Sequence, residues 1–538
     1  MTKHFDVIIV GGGAAGLTAA AYATRAGLSV GLFEQQARLG GLVQTVEKDG
    51  FRFDMGLRAI ENAGIVLPML DELGIPLDYV PSKVSLGIED RIIHLQSRES
   101  LAEYRTLLLH FYPEQEASIE KIMYLIQRIM RNMDVLYGID NPLFKDPLRD
   151  RRYLFKTLLP WMFKFLVTIG RINRMNGPVE DLLEQITDDP SLRSIIGQHF
   201  FKGTPAFFAM SYFSVYLDYL YPIGGTAALS ESLVSYIRER QVAVHTQTAI
   251  SHVDPDTRLV IDDKGSSWTY GRLIWCADQK ALYRSIDFNA IKDASVRGSL
   301  EARWRKLEGH SGSDSVLSFF MAVDEDPDSF GAIANGHLFY TPDAHGLQEM
   351  HTTKLSALLQ AYDNKPISKE AVRKFLQEYF ERTTYEVSIP ALKDPAMAPP
   401  GKTGLIVSCL FDYMLTRRVH EAGWYEEFET LCADMIIKVL SDSLYPNLDQ
   451  RVISWFTSTP LSIERQTRNS DGAITGWAFS SSEMPVVTKM QQVARSVITP
   501  VPGILQAGQW TYSPAGLPMA LLTGKLAANR AKKGLRKR

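Results

Sequence analysis

Asp6-Val7-Ile8-Ile9-Val10-Gly11-Gly12-Gly13-Ala14-Ala15-Gly16 decides how this chain folds. Its first five residues form a short apolar run rich in β-branched side chains, the pattern of a strand buried on both faces. Glycines follow at once in G-x-G-x-x-G spacing, and Leu17 to Ala26 is alanine-rich with a helical pattern. Gly27 stops that helix, and Ser29-Val30-Gly31-Leu32-Phe33-Glu34 reads as a second strand ending in an acid. Strand, glycine turn, helix, strand and acid is the order a dinucleotide site requires. Gly11 permits the tight turn, Gly13 lets the backbone approach a pyrophosphate, and Gly16 lets the helix pack against the strands. Ala14, Ala15 and Gly16 open the helix, so their N–H groups face the phosphates. Glu34, with Gln35 beside it, stands where a carboxylate accepts hydrogen bonds from ribose hydroxyls.

Arg38-Leu39-Gly40-Gly41 comes next, then Gly50-Phe51-Arg52-Phe53-Asp54-Met55-Gly56. A second glycine doublet soon after the acid, then a strand ending in Asp-x-Gly, resembles the FAD-containing flavoproteins that include amine oxidases and phytoene desaturases. The resemblance, not the spacing, points to FAD. It places Arg38, Gly40, Gly41 and Gly56 at the cofactor. Tyr221-Pro222-Ile223-Gly224-Gly225 resembles the phrase that marks the chain's return to the FAD domain in phytoene desaturases. It implies that Val253 lies near the adenine, and Ala277 ends the next strand in a small-residue turn. Near the C-terminus, Gly508-Gln509 and Gly516-Leu517-Pro518-Met519 resemble the terminal FAD signature of phytoene desaturases, carotenoid isomerases and retinol saturases. Amine oxidases usually carry an acid where this chain has Gln509. A helix starting near Gly516 would bring about half a positive charge and free N–H donors to a reduced flavin.

The expected fold is α/β: a discontinuous, Rossmann-like FAD-binding domain of the glutathione reductase type beside a mixed α+β substrate domain. The first draws on residues 1–80, 220–285 and 480–538, the second on 81–219 and 286–479. The stretch 81–219 reads as mostly helical. No second strand–GxGxxG–helix unit follows, so a dedicated NAD(P)H domain is not expected.

Composition removes other classes. Among 538 residues, 45% are hydrophobic and 22% charged, ordinary for a packed protein, and the net charge of −3 is not that of a dedicated nucleic-acid binder. The three cysteines form no CxxC pair, there is no HExxH, and there is no GxSxG elbow, so no metal centre or hydrolase site is expected. The charge is unevenly spread. Residues 145–174 hold eight basic side chains against Asp146 and Asp150, interleaved with aromatic and aliphatic residues, and the tail 530–538 adds six more. The first segment suits a helix lying on an anionic membrane, or an ordinary domain helix with a solvated basic face. Pro160 would bend it or start a second helix. A cytoplasmic protein with peripheral membrane contact is the expectation.

Gly203 to Phe213 is aromatic and uncharged, suited to an apolar tunnel or to plain core. His199 is a candidate flavin neighbour or a structural histidine, and Asp218 is equally ambiguous; no catalytic acid or base is assigned. The resemblance implies an oxidoreductase acting on carbon–carbon double bonds of a hydrophobic isoprenoid or polyene, by saturation, desaturation or redox-assisted isomerisation. Its electron donor or acceptor is unassigned. An amine oxidase-like enzyme is the second reading, and a non-catalytic flavin- or lipid-binding protein the third.

Overall fold

A computed structural model describes residues 3–137, 139, 141–144, 151–348, 350–479 and 483–536. The sequence's opening pattern becomes strand Lys3–Val10, then helix Ala14–Arg25, then strand Val30–Phe33. Four parallel strands, Ala243–His245, Val30–Phe33, Lys3–Val10 and Ser267–Trp275, make the body of the first sheet. Ile504–Gln506 pairs in parallel with the far end of Ser267–Trp275. Leu259–Asp262 and Ile250–Asp254 complete the sheet as an antiparallel meander. Helices Ala14–Arg25, Ala227–Glu239 and Leu517–Arg536 cover one face through Ala19, Leu233 and Leu521, all buried. This is the expected Rossmann-like α/β unit, assembled from widely separated parts of the chain.

The second seven-stranded sheet runs Val452–Ser458, Ser315–Val323, Thr403–Phe411, Tyr385–Ser388, His337–Thr341, Val84–Ile88, Arg91–Leu95. It is antiparallel except where His337–Thr341 runs parallel to Val84–Ile88. Alternation sorts its faces. Phe319, Met321, Leu405, Val407, Val387 and Leu338 point back onto helices Lys369–Phe380 and Tyr425–Ser443. The opposite face carries the cross-strand row Ser318, Ser408, Glu386, Phe339 and Leu86.

The stretch 81–219 is mostly helical, and two details go beyond the expected arrangement. Residues 84–95 were expected within a mostly helical stretch, yet Val84–Ile88 and Arg91–Leu95 form a hairpin turned at Glu89, whose φ is +50°. The pairing partner that holds the hairpin in the sheet lies far later in the chain, so no local pattern announces it. Residues 286–308 and 470–477 fall within the segment assigned to the substrate domain. Leu300, Leu307, Ala473 and Trp477 instead pack against Ile8, Val10 and Trp510 on the first sheet.

Residues 145–150 of the basic segment, and Lys537 and Arg538 of the tail, lie outside the described residues. From Arg151 the chain is helical to Ile172, with a wider π-helical turn at Leu154–Leu158. Pro160 has no N–H to donate back into the preceding turn, which accounts for the irregularity just before it. Among the described residues, no helix is long and apolar enough to cross a membrane.

Candidate functional site

The glycine turn is a backbone construction. Gly11 has φ +101°, and a Cβ there would sit 2.9 Å from the Cys276 carbonyl oxygen. A Cβ on Gly16 would sit 1.8 Å from the Gly11 carbonyl oxygen, so helix Ala14–Arg25 can start only with glycine at that point. Gly13 differs, because its nearest neighbour would be Gly41 Cα at 3.8 Å. Room therefore lies in front of Gly13 and the helix N-terminus, which no side chain caps. The amides of Ala14, Ala15 and Gly16 are left to a ligand.

Other expected residues gather around this room. Gly40 N–H donates to the Gly12 carbonyl at 2.9 Å, which lays Gly40 and Gly41 along the turn. Ala277 follows Cys276, whose N–H donates to the Val10 carbonyl at 2.7 Å, directly over Gly11. Gly508 N–H donates to Thr523 Oγ1 at 2.9 Å, and a Cβ on it would approach Ala15 Cβ at 3.4 Å. Gly524, a residue the sequence reading missed, lets helix Leu517–Arg536 cross closely over Ala15, whose oxygen a Cβ would meet at 2.4 Å. That crossing fixes Gly516, Leu517, Pro518 and Met519, where a Gly516 Cβ would have nothing nearer than 3.9 Å. Gln509 follows, its carbonyl packed against Gly476.

Glu34 is buried at 9% exposure. Its Oε2 accepts from Gly12 N–H at 2.7 Å and its Oε1 from Gln36 N–H at 2.8 Å. These bonds fix the carboxylate and leave each oxygen a second lone pair for a ribose hydroxyl. Gln35 Nε2 donates to the Gln466 carbonyl at 3.4 Å, and Arg38 is exposed at the rim. Uncapped amides, open space before Gly13 and Gly516, and a fixed carboxylate together fit a dinucleotide.

Val253 and Gly56 are each held by close contacts within the protein. Val253 is fully buried between the first sheet and its cover, and its N–H donates to the Ser285 carbonyl at 2.9 Å. Beside the acid runs Gln247–Thr248, whose N–H groups donate to Gln36 and Glu34 carbonyls at 3.0 and 2.9 Å. Gly56 is a packing residue, since a Cβ would meet the Leu42 carbonyl oxygen at 2.1 Å.

Asp54 ties the Tyr-Pro-x-Gly-Gly phrase to the glycine doublet. Its carboxylate accepts from Thr45 Oγ1 at 2.7 Å, Thr226 N–H at 2.8 Å and Tyr221 Oη at 2.6 Å. Beyond it lies a polar cluster the sequence reading missed. Arg58 Nη2 donates to Ser408 Oγ at 2.8 Å, and Lys393 Nζ donates to the Arg58 carbonyl and Ser388 Oγ, each at 3.0 Å. His337 Nε2 lies 3.0 Å from Glu386 Oε1, and its ring stacks on Tyr219 at 5.5 Å. Burial holds His337 neutral, so Nε2–H is the donor. Burial opposes the Glu386 carboxylate, but His337, Arg58 and Lys393 outweigh it and keep it ionised. Burial lowers the Lys393 ammonium to about 8. Glu61, paired across strands with Tyr219, is pushed up to about 7 by burial and then by Asp218. Asp218 itself is raised by burial, and its Oδ2 accepts from Ala63 N–H at 3.3 Å. Period-two alternation could have flagged Glu386; Lys393 follows no pattern that singles it out.

Next to this cluster, between the second sheet and the helices 100–217, lies a cavity of about 70 Å³. Phe339 and Tyr216 connect the two, their rings 5.0 Å apart, with His337 5.2 Å from Phe339. Helix Ala206–Leu217 buries Ala206 and Val215 while lending Met210, Tyr212, Phe213 and Tyr216 to the cavity wall, so it serves as both core and lining. His199 also lines the cavity. No lining residue carries a formal charge, and the described residues hold no cluster of potential metal ligands.

The NAD(P)-binding Rossmann-like domain family matches residues 9–73. The chain is 20% identical over 515 residues to the all-trans-retinol 13,14-reductase of Danio rerio, covering 88% of this chain and 78% of that protein. It is 20% identical to a 4,4'-diapophytoene desaturase of Staphylococcus aureus, covering 97% and 98% of the two. Cyclohexylamine oxidase from Brevibacterium oxydans shares the fold, with TM-score 0.58, 13% identity and 99% of each chain covered.

Proposed function

We propose that this chain is an FAD-dependent oxidoreductase of the amine-oxidase-like superfamily, and that it acts on carbon–carbon double bonds of a hydrophobic, polyene-like substrate. The observation that carries this reading is the uncharged lining of the cavity beside the polar cluster. An amine substrate would be better served by a carboxylate facing it, and the lining holds none. The names of the relatives, a retinol reductase and a diapophytoene desaturase, support the same class.

FAD supplies two-electron chemistry when bound. The amides of Ala14–Gly16 and the N-terminus of Leu517–Arg536 would hold its negative charge, and Glu34 its ribose. The apolar wall formed by Met210, Phe213 and Phe339 excludes water and orients an extended chain. Glu61, with its acid raised to about 7, can hold a proton near neutral pH.

Anaerobic titration tests the proposal. Reduced enzyme should be reoxidised by polyenes, or oxidised enzyme reduced by their saturated counterparts. Reduction by amines with no response to any polyene would overturn it.

The surface of the basic segment extends the reading. Phe155, Phe163, Leu166 and Val167 are 57–71% exposed among Arg151, Arg152, Lys156, Lys164, Arg171 and Arg174. Apolar rings flanked by cations favour an anionic lipid surface, from which a polyene could be drawn. Flotation with vesicles should require anionic lipid; equal flotation with neutral vesicles, or none, would remove this contact.

A further inference from the structure

The cavity is apolar in its walls yet holds polar groups with nothing to bind. His199 has no hydrogen-bond partner among the described residues; its neighbours are the rings of Phe200, at 3.9 Å between centroids, and Phe339, at 5.8 Å. Tyr216 is 5% exposed and its hydroxyl is unpartnered. Tyr104 and Tyr212 line the same space, and neither hydroxyl has a protein partner among the described residues. The Tyr216 hydroxyl, buried and unpartnered, runs against the rule that buried polar groups are paired, and the half-buried His199, Tyr104 and Tyr212 add three more polar groups around the same cavity. Thr341 and Thr384, also in the lining, show the ordinary outcome, bonded to each other at 2.7 Å.

We propose that this cavity is a specificity pocket for a neutral oxygen, a hydroxyl or carbonyl, at one end of the hydrophobic substrate, with His199 as its principal hydrogen-bond partner. The proposal rests on the reading of the site as a polyene site and narrows it to oxygenated members. The charge balance selects the neutral group. Burial lowers the His199 imidazolium to about 4, so the ring is neutral near pH 7 and offers one donor and one acceptor. No cation in the lining would compensate a carboxylate, and no anion an ammonium. A bare hydrocarbon end would leave the imidazole and phenols as they are, unpaired. The cavity takes one end of such a molecule, and Tyr216 and Phe339 join it to the polar cluster at His337.

The test uses the flavin-loaded enzyme and four probes of one skeleton: all-trans-retinol, retinoic acid, retinylamine and the corresponding deoxygenated hydrocarbon. Binding is read by equilibrium dialysis and, separately, reaction by flavin absorbance. Wild-type enzyme should bind the alcohol on the order of 10- to 100-fold more tightly than the other three. His199→Phe should erase that preference while leaving hydrocarbon binding intact, and His199→Gln, which restores a donor and an acceptor, should recover part of it. Tyr212→Phe should act in the same direction with smaller effect. General damage to the fold would weaken all four probes in parallel. Equal affinity of wild-type enzyme for alcohol and hydrocarbon, or a parallel loss in His199→Phe, would overturn the pocket. Selective, His199-dependent binding with no flavin response to any polyene would sustain the pocket and overturn the proposed reaction instead.

Discussion

The turn at Gly11–Gly16 and the cavity at His199 lie in the same molecule and are made of different materials. The turn is backbone meeting backbone: Gly16 against the Gly11 oxygen, Gly40 against the Gly12 oxygen, Gly41 against Gly13. Side chains there are small or absent, and the ligand meets N–H groups held by a helix. The cavity is side chains meeting side chains, contributed by two strands of the second sheet and several helices. A backbone site tolerates almost no change of shape and demands little of chemistry. A side-chain site tolerates changes of shape and depends on the identity of a few polar groups.

The largest expected effect breaks the backbone end. Gly16→Ala places a methyl 1.8 Å from a carbonyl oxygen that cannot move without dismantling the turn. It should cost about 3–5 kcal/mol or prevent folding, read by a thermal melt. Gly13→Trp, three residues away, should spare the fold because the side chain leaves into open space. Flavin affinity should fall by about 100-fold or more, read by absorbance after gel filtration. Full flavin retention would remove Gly13 from the cradle.

The side-chain half responds to pH. Glu61 holds its proton to about 7 in the folded chain, whereas the unfolded chain releases it near 4.5. Between those values the folded state binds the extra proton, so stability falls as pH rises. Glu61→Gln should flatten that slope by up to about 1.4 kcal/mol per pH unit, read by denaturant melts from pH 4.5 to 7.5. An unchanged slope would mean that Glu61 titrates as an ordinary carboxyl. The smallest effect belongs to the surface, where Phe163→Ser should change stability by less than about 0.5 kcal/mol. The same variant should lower binding to anionic vesicles severalfold.

The backbone end was legible before folding because its requirements are local. A strand, three spaced glycines, a helix and an acid are contiguous from Asp6 to Glu34; Gly11 and Gly16 have a steric reason the structure displays, and Gly13 faces open space. The C-terminal helix was legible on the same grounds. Gln247–Thr248 shows the limit: its contact with the acid's backbone falls before strand Ile250–Asp254 begins, where no local pattern marks it. Arg58 and Glu61 sat within an identified stretch and passed unnoticed, since neither an arginine nor a glutamate is unusual until it is buried.

The sequence alone determined the nucleotide-binding unit at the N-terminus and the concentration of basic charge in 145–174 and the tail, because these follow from spacing and composition; its assembly from separated segments was legible only through the resemblance to a known family. Tertiary structure alone decided the chemistry of the other half. His337 and Glu386 meet across neighbouring strands, Lys393 and Arg58 join them from loops, and His199 arrives from beyond a separate helix. Their protonation states come from burial and from one another, and both are properties of packing among parts of the chain far apart in sequence.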